Sequence, residues 1–302
     1  MSLGIWPDWM IYRPPSAADL GPTRGRGNVL RDVAREILSA VSGLTLLGPR
    51  GGVVWRGQAD ATWRLESKMG RLGMTADEMA KQERAMLREA RVIGADNAQH
   101  LGDWEILARL RHHGAATRLI DFTTDPMVAL WFLCEDESSS AGGGTVREQP
   151  GVLLAMQRDV LGTVNRPYMR NYEQALKRPT ANLLYKTPPI DPRIAAQRGL
   201  FAFNTSPLNA ASCKESELGL PLPSTGWRRD YEDRLARVCD TGKWAKRQGR
   251  PIEVFPDVVG IEVPELVKPT LLEVLGTSYG FTHASMFPDF AGMGQAYAGR
   301  RV

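Results

Sequence analysis

The sequence predicts an α+β fold. Two observations carry that expectation. Short runs rich in apolar and β-branched residues recur along the chain: Val53-Val54-Trp55, Thr117 to Phe122, Gly151 to Met156, Asn182 to Tyr185, Leu200 to Phe203 and Val258 to Val263. Between them lie stretches with helical spacing and readable helix starts. With 302 residues, 43% hydrophobic and 24% charged, the chain has material for a sizeable core and the composition of an ordinary globular protein.

The elements follow in order. Residues 1–28 are rich in Pro, Gly and Arg and read as a loosely ordered arm, with residues 29–302 as the folded domain. Arg31 to Leu44 places Val33, Ile37, Leu38 and Val41 at helical spacing. A turn at Gly48 to Gly52 leads into the strand Val53-Val54-Trp55, which ends at Arg56-Gly57-Gln58. Arg56 is either a surface arginine at a strand end or a clamp for phosphate or carboxylate, with Gly57 letting a ligand approach. Thr75-Ala76-Asp77-Glu78 matches a capping box and opens a helix to about Asp96. Met79, Met86, Leu87 and Ala90 mark its apolar face.

The stretch Arg109 to Asp136 organises the rest. It reads as helix, turn, strand, turn, helix. Asp103 is placed to cap a helix running to His112, with Gly114 at the position just past its end. Thr117 to Phe122 reads as a strand. Asp125 is a helix cap and Pro126 the first helical residue. Met127, Val128, Leu130, Trp131 and Leu133 make the next helix almost wholly apolar, hence buried. His112 and His113 sit in the last turn before a glycine, either as partners of the helix dipole or core hydrogen-bonders, or as site residues. Asp121 on the strand either faces a site or pairs with an arginine such as Arg118 or Arg56.

Downstream, Ser138 to Gly144 reads as a flexible loop. Pro188, Pro189 and Pro192 enforce an extended path. Arg193 to Gly199 reads as one helical turn ending in glycine, followed by the strand Leu200 to Phe203. Gln197 beside that strand is a backbone bridge or a site residue. Residues 205–226 read as a polar, Pro-rich insertion. Arg228 to Arg250 holds eight basic and four acidic residues, which is either a phosphate-facing patch or a solvated helix face. Pro264 precedes a helix near Glu265 to Leu275, with Pro269 kinking or delaying its start.

Charge and cysteines narrow the classes. The formal net charge of +4 permits a nucleic-acid or dinucleotide partner without demanding one. The three cysteines, Cys134, Cys213 and Cys239, read as reduced thiols of a cytoplasmic protein. Histidines and cysteines never fall into a metal-ligand spacing, so no metal is expected. No charged-then-apolar leader opens the chain and no run approaches roughly 18 apolar residues, so neither export nor membrane spanning is expected.

Taken together, several pieces resemble one family. Val54-Trp55-Arg56-Gly57-Gln58 resembles the aromatic-Arg-Gly motif of the FRG domain, with tryptophan in place of the usual Phe or Tyr. Trp104 to Leu107, His112-His113-Gly114, Thr117 to Thr123, Asp125-Pro126 and Ala129 to Phe132 resemble its central signature, with Phe122 where Trp is common. Arg193-Ile194, Gln197 to Phe201 and Met286-Phe287-Pro288-Asp289 resemble its later motifs. A looser similarity is to ADP-ribosyltransferases of the arginine-serine-glutamate type. It implies mixed, mainly antiparallel core sheets flanked by helices. It also implies NAD as substrate, with no metal.

On that resemblance the catalytic residues are Arg56, Asp121, Thr123 and Gln197, with Glu105 as another source of the carboxylate. The NAD-binding residues are Arg56, Gly57, Gln58, His113, Arg118, Thr123 and Thr124. An arginine binds pyrophosphate bidentately, and cleavage of the nicotinamide bond needs orientation and acceptor groups near the ribose. The expectation is an ADP-ribosyltransferase-like enzyme, a toxin or defence effector acting on nucleic acid or protein, with a neutralising partner protein conceivable. The alternative is a non-enzymatic nucleotide or nucleic-acid binding module using Arg56, Arg118 and the basic segment 228–250. A nuclease would need a compact acidic metal cluster, which the sequence does not offer.

Overall fold

The computed structural model describes residues 11–14, 26–47, 52–94, 101–135, 149–164, 171–177, 182–206 and 258–297. The N-terminal arm lies largely outside these residues. The loop 138–144, nearly all of the insertion 205–226, the basic segment 228–250, Cys213 and Cys239 lie outside them entirely.

The strands are β1 (Ile11–Tyr12), β2 (Val53–Gln58), β3 (Ile120–Thr123), β4 (Gly151–Gln157), β5 (Gly162–Thr163), β6 (Asn182–Tyr185), β7 (Gly199–Asn204) and β8 (Val258–Val263). The helices are α1 (Arg26–Leu47), α2 (Lys68–Arg71), α3 (Ala76–Val92), α4 (Asp103–His112), α5 (Pro126–Cys134), α6 (Tyr172–Leu176), α7 (Pro192–Ala196), α8 (Lys268–Tyr279), α9 (His283–Met286) and α10 (Phe290–Tyr297). The fold is α+β, with mixed, mainly antiparallel sheet flanked by helices. The chain forms two compact units. One comprises Met1–Trp63, Asp125–Arg158 and Leu220–Phe281; the other comprises Arg64–Thr124, Asp159–Gly219 and Thr282–Val302.

In the first unit the strands run in the order β1-β8-β4-β2, with β1 parallel to β8 and the other pairs antiparallel. Helix α5 starts as the sequence predicts: Asp125 accepts a hydrogen bond from Met127 N, and Pro126 is the first helical residue. Its side chains Val128, Leu130, Trp131 and Leu133 are buried against β2, β4 and α8. The approach is close because β2 carries Gly57. A Cβ there would lie 1.9 Å from the carbonyl oxygen of Ala129 and 2.8 Å from Leu133 N. Pro269 delays its helix as expected: a 3₁₀ turn, Glu265–Val267, precedes α8. At the start of α8, Lys268 is buried and its Nζ donates to Ala59 O at 2.6 Å.

In the second unit the order is β3-β7-β6-β5; β3, β7 and β6 are antiparallel, and β5 runs parallel to β6. The core packs Trp104 of α4 against Tyr172, Tyr185 and Phe203, with Trp104 and Phe203 stacked at 4.7 Å between centroids. Helix α3 opens with the Thr75–Glu78 capping box and ends at Val92, short of the expected Asp96. The cap of α4 is Gly102 rather than Asp103. Asp103 lies in the first turn instead, where its carboxylate takes Arg91 and the Tyr172 N–H.

Strand β3 starts at Ile120, three residues later than the apolar pattern implies. The reason lies in where the preceding backbone groups go. Arg118 N donates to Glu83 Oε1 at 2.8 Å and Leu119 N to Thr117 Oγ1 at 3.2 Å, so neither enters a ladder. The Arg118 side chain continues that arrangement. Its Nε donates to Glu83 Oε2 at 2.6 Å, its terminal nitrogens reach Thr205 O and Tyr172 Oη, and Tyr172 Oη donates to Glu83 at 2.5 Å. Arg118 and Glu83 are both 0% exposed.

Candidate functional site

The second unit gathers most of the polar residues singled out in the sequence around the end of α4 and one face of β3 and β7. Asp121 stands opposite Phe201 in the antiparallel ladder, and Thr123 stands opposite Gly199. Residues two apart on a strand share a face, so Asp121 and Thr123 point to the same side. The ring of His112 meets Phe201 edge-on at 5.6 Å, and its Nε2 lies 3.8 Å from where a Cβ of Gly199 would be. The last turn of α4 therefore sits over this face, and Gly114, at φ +91°, ends the helix as the sequence predicts.

Asp121 is paired with an arginine that the sequence did not bring forward. Arg111 donates to its Oδ2 at 2.6 Å. The carboxylate side chain is 38% exposed, against 17% for Arg111, so the guanidinium fixes a carboxylate that still meets solvent. Half-buried His112 has its pKa pushed down, first by burial; Asp121 and Asp191 oppose the shift, and Arg111 and Arg193 reinforce it. Burial thus favours the neutral form of His112. His113 is half exposed, with Nε2 3.4 Å from Asp191 Oδ2.

Thr123 and Gln197 are brought together as bridges. Thr123 is buried and its Oγ1 donates to Gln197 O at 2.8 Å. The Gln197 side chain donates to Met286 O at 3.0 Å, the backbone bridge allowed for in the sequence reading. Thr124 is exposed, and its N donates to Arg198 O at 3.3 Å.

Arg193 completes the arrangement. Its guanidinium forks onto Asp289, lies 5.1 Å from the centre of the Phe287 ring, and reaches His112 O at 3.4 Å. Asp289 is held to a pKa of about 2, chiefly by that arginine and further by the Gly292 N–H. The segment Met286–Asp289 is thereby pinned to α7. Two separated motif pieces of the sequence thus read each other.

Three residues expected at the ligand take other roles. Arg118 has no exposed surface and is committed to Glu83, as described above. Gly57 makes room for the backbone of α5, a helix, where the sequence reading had a ligand approaching. Gln58 is buried in the first unit and donates to Trp63 O at 3.0 Å, which ties the turn after β2. Arg56 lies on β2 in the same unit, half-buried, opposite Leu154 of β4. Arg111, Asp191, Arg193 and Asp289 were not singled out as site residues. Opposite charges in two motif pieces, Arg193 and Asp289, were the signal available for one pair. Among the described residues no group of three or more His, Cys, Asp or Glu could hold a metal, and no helix is long and apolar enough to cross a membrane.

These features define an α+β protein whose sequence motifs fix the end of α4, the α3–β3 connection and the closing segment. The family model of the FRG domain matches residues 51–142, a stretch that includes β2 through α5. No curated protein and no solved structure matches the chain.

Proposed function

We propose that the chain is an ADP-ribosyltransferase-like enzyme that uses NAD. The observation that carries this reading is the Asp121 carboxylate: part-exposed, held by Arg111, beside a neutral imidazole and at the partially negative end of α4. In the reaction the bond from ribose C1′ to the nicotinamide nitrogen breaks and its electron pair stays on that nitrogen. C1′ becomes cation-like, and an oxygen or nitrogen of the acceptor bonds to it and releases a proton. A fixed carboxylate favours that developing charge, and a histidine kept neutral adds no repulsion to it. The order of elements adds support: an arginine-bearing strand (Arg56), a strand ending in Thr123-Thr124 before a helix, then Gln197 before β7. In this reading Arg56 contacts phosphate and the acceptor is nucleic acid or protein, as for a toxin or defence effector.

The test is incubation of the purified chain with adenine-labelled NAD, with and without DNA, RNA and cell lysate, beside Arg56→Ala. Nicotinamide release and label transfer that fail in Arg56→Ala, with unfolding unchanged, are the expected result. No NAD binding and no release under any of these conditions would sink the reading. It would leave non-enzymatic nucleotide or nucleic-acid binding to be tested by salt dependence.

A further inference from the structure

Arg198 holds a backbone conformation that its own side chain disfavours. Its φ is +49°, and it is the sole non-glycine residue with positive φ among the described residues. An L-residue with a Cβ is strained there, whereas glycine is not. The neighbouring bonds impose the conformation. Gln197 O accepts from Thr123 Oγ1, the Gln197 side chain is tied to Met286 O, Arg198 N donates to Ala195 O, and Arg198 O accepts from Thr124 N. Gly199 then enters the ladder opposite Thr123. A glycine at position 198 would satisfy all of these backbone bonds without strain. The chain instead carries an exposed arginine at that point, directly bonded through its backbone to the exposed Thr124. Strain of this kind is held in place by the surrounding structure and clusters at ligand clamps and active sites.

We propose that Arg198 and Thr124 form a phosphate subsite at the junction of α7, β7 and β3. The guanidinium fork matches two phosphate oxygens, and the Thr124 hydroxyl donates to a third. Its natural ligand is the diphosphate of a dinucleotide, and only this naming of the source rests on the NAD reading. Arg198 contributes binding, so it takes no part in bond breaking. Arg198 also lies at the end of α7, where a cation complements the helix carbonyls. That role needs no ligand and is the competing account.

The experiment measures inorganic pyrophosphate, ADP-ribose and NAD binding to the intact chain by titration calorimetry, for wild type, Arg198→Gly, Arg198→Lys and Thr124→Val. Thermal unfolding of each protein is followed alongside. The expected result for Arg198→Gly is an unfolding midpoint raised by about 2–4 °C. With it comes a loss of roughly tenfold or more in pyrophosphate and ADP-ribose affinity. Arg198→Lys falls between the two, since the charge stays and the fork is lost, and Thr124→Val loses affinity without a rise in the midpoint. Pyrophosphate binding that depends on Arg198, without NAD binding, would keep the subsite and remove the NAD reading. NAD binding indifferent to Arg198→Gly would overturn the subsite and spare that reading. An Arg198→Gly protein that is less stable and binds as before would make Arg198 a helix-end cation only. A wild-type chain that binds none of the three ligands would overturn both.

Discussion

Replacing Gly57 by alanine would put a methyl carbon 1.9 Å from Ala129 O, 2.8 Å from Leu133 N and 2.9 Å from Leu133 Cβ. An ordinary contact between such atoms needs about 3.4 Å or more. Helix α5 or strand β2 would therefore have to retreat by over ~1 Å, because the first two atoms belong to backbone and cannot rotate aside. Neither element moves freely. Val128, Ala129, Leu130, Trp131 and Leu133 are all at most 2% exposed, and β2 is laddered to β4 along its whole length. Overpacking of this kind costs about 1–3 kcal/mol, and the gap opened elsewhere under α5 adds to it. Alanine regains about 0.5–1 kcal/mol over glycine in a strand. With a gap of a methyl group or less, the net expectation is a loss of about 1–3 kcal/mol. That is a large part of a typical stability of ~5–15 kcal/mol. Denaturant unfolding of wild type and Gly57→Ala, with the slope checked for constancy, reads the difference directly. A Gly57→Ala protein within about 0.5 kcal/mol of wild type would refute the packing argument. If such a protein had also lost ligand binding, the glycine would be there for a ligand after all.

Three other outcomes follow from the geometry. Glu83→Gln leaves Arg118 charged and sealed from solvent, so it should cost about 3–5 kcal/mol, whereas Glu83→Leu combined with Arg118→Met should recover much of that loss in denaturant melts. The Asp289 pKa, lowered from 3.8 to about 2, means its pairing with Arg193 contributes fully above pH 4 and is lost as pH falls toward 2. After solvent screening the contribution is on the order of 1 kcal/mol, so wild type and Asp289→Asn should differ above pH 4 and converge near pH 2 in acid-unfolding curves. His112, depressed from 6.5 by burial, should titrate below that value in imidazole NMR spectra. Because the unfolded chain then binds the proton more readily, this histidine opposes folding as pH falls below 6.5, and a titration at or above 6.5 would contradict the burial argument.

The sequence exposed those parts of the fold that depend on local physics. The Thr75 capping box, Asp125–Pro126, Gly114 past α4 and the apolar strands other than β3 stand where their patterns put them, because caps, turns and periodicity act over a few residues. The α+β class and the FRG resemblance were legible for the same reason. What could not be read was partner choice over long separations. Glu83 lies 35 residues from Arg118, and Arg193 lies 96 from Asp289, so no local pattern assigns either pair. Gly57 shows the limit from another side. Glycine signals close approach by something, and only the packing of α5 shows that the visitor is a backbone carbonyl. Asp121 was legible as a residue with a choice between a site and an arginine. One arginine it takes, Arg111, lies ten residues upstream on α4, in the last turn that was otherwise assigned to the helix dipole.

The central claim is that the Asp121 carboxylate supports cleavage of NAD. The most direct measurement is the rate of nicotinamide release by the intact chain, compared between wild type, Asp121→Asn and Asp121→Ala, with unfolding midpoints recorded for each. Asparagine keeps the size and one carbonyl acceptor but removes the charge. The account predicts wild-type release and a loss of roughly 100-fold or more in both variants at nearly unchanged stability, the scale expected when a charge-stabilising group is removed. Release by Asp121→Asn within a few-fold of wild type would contradict it.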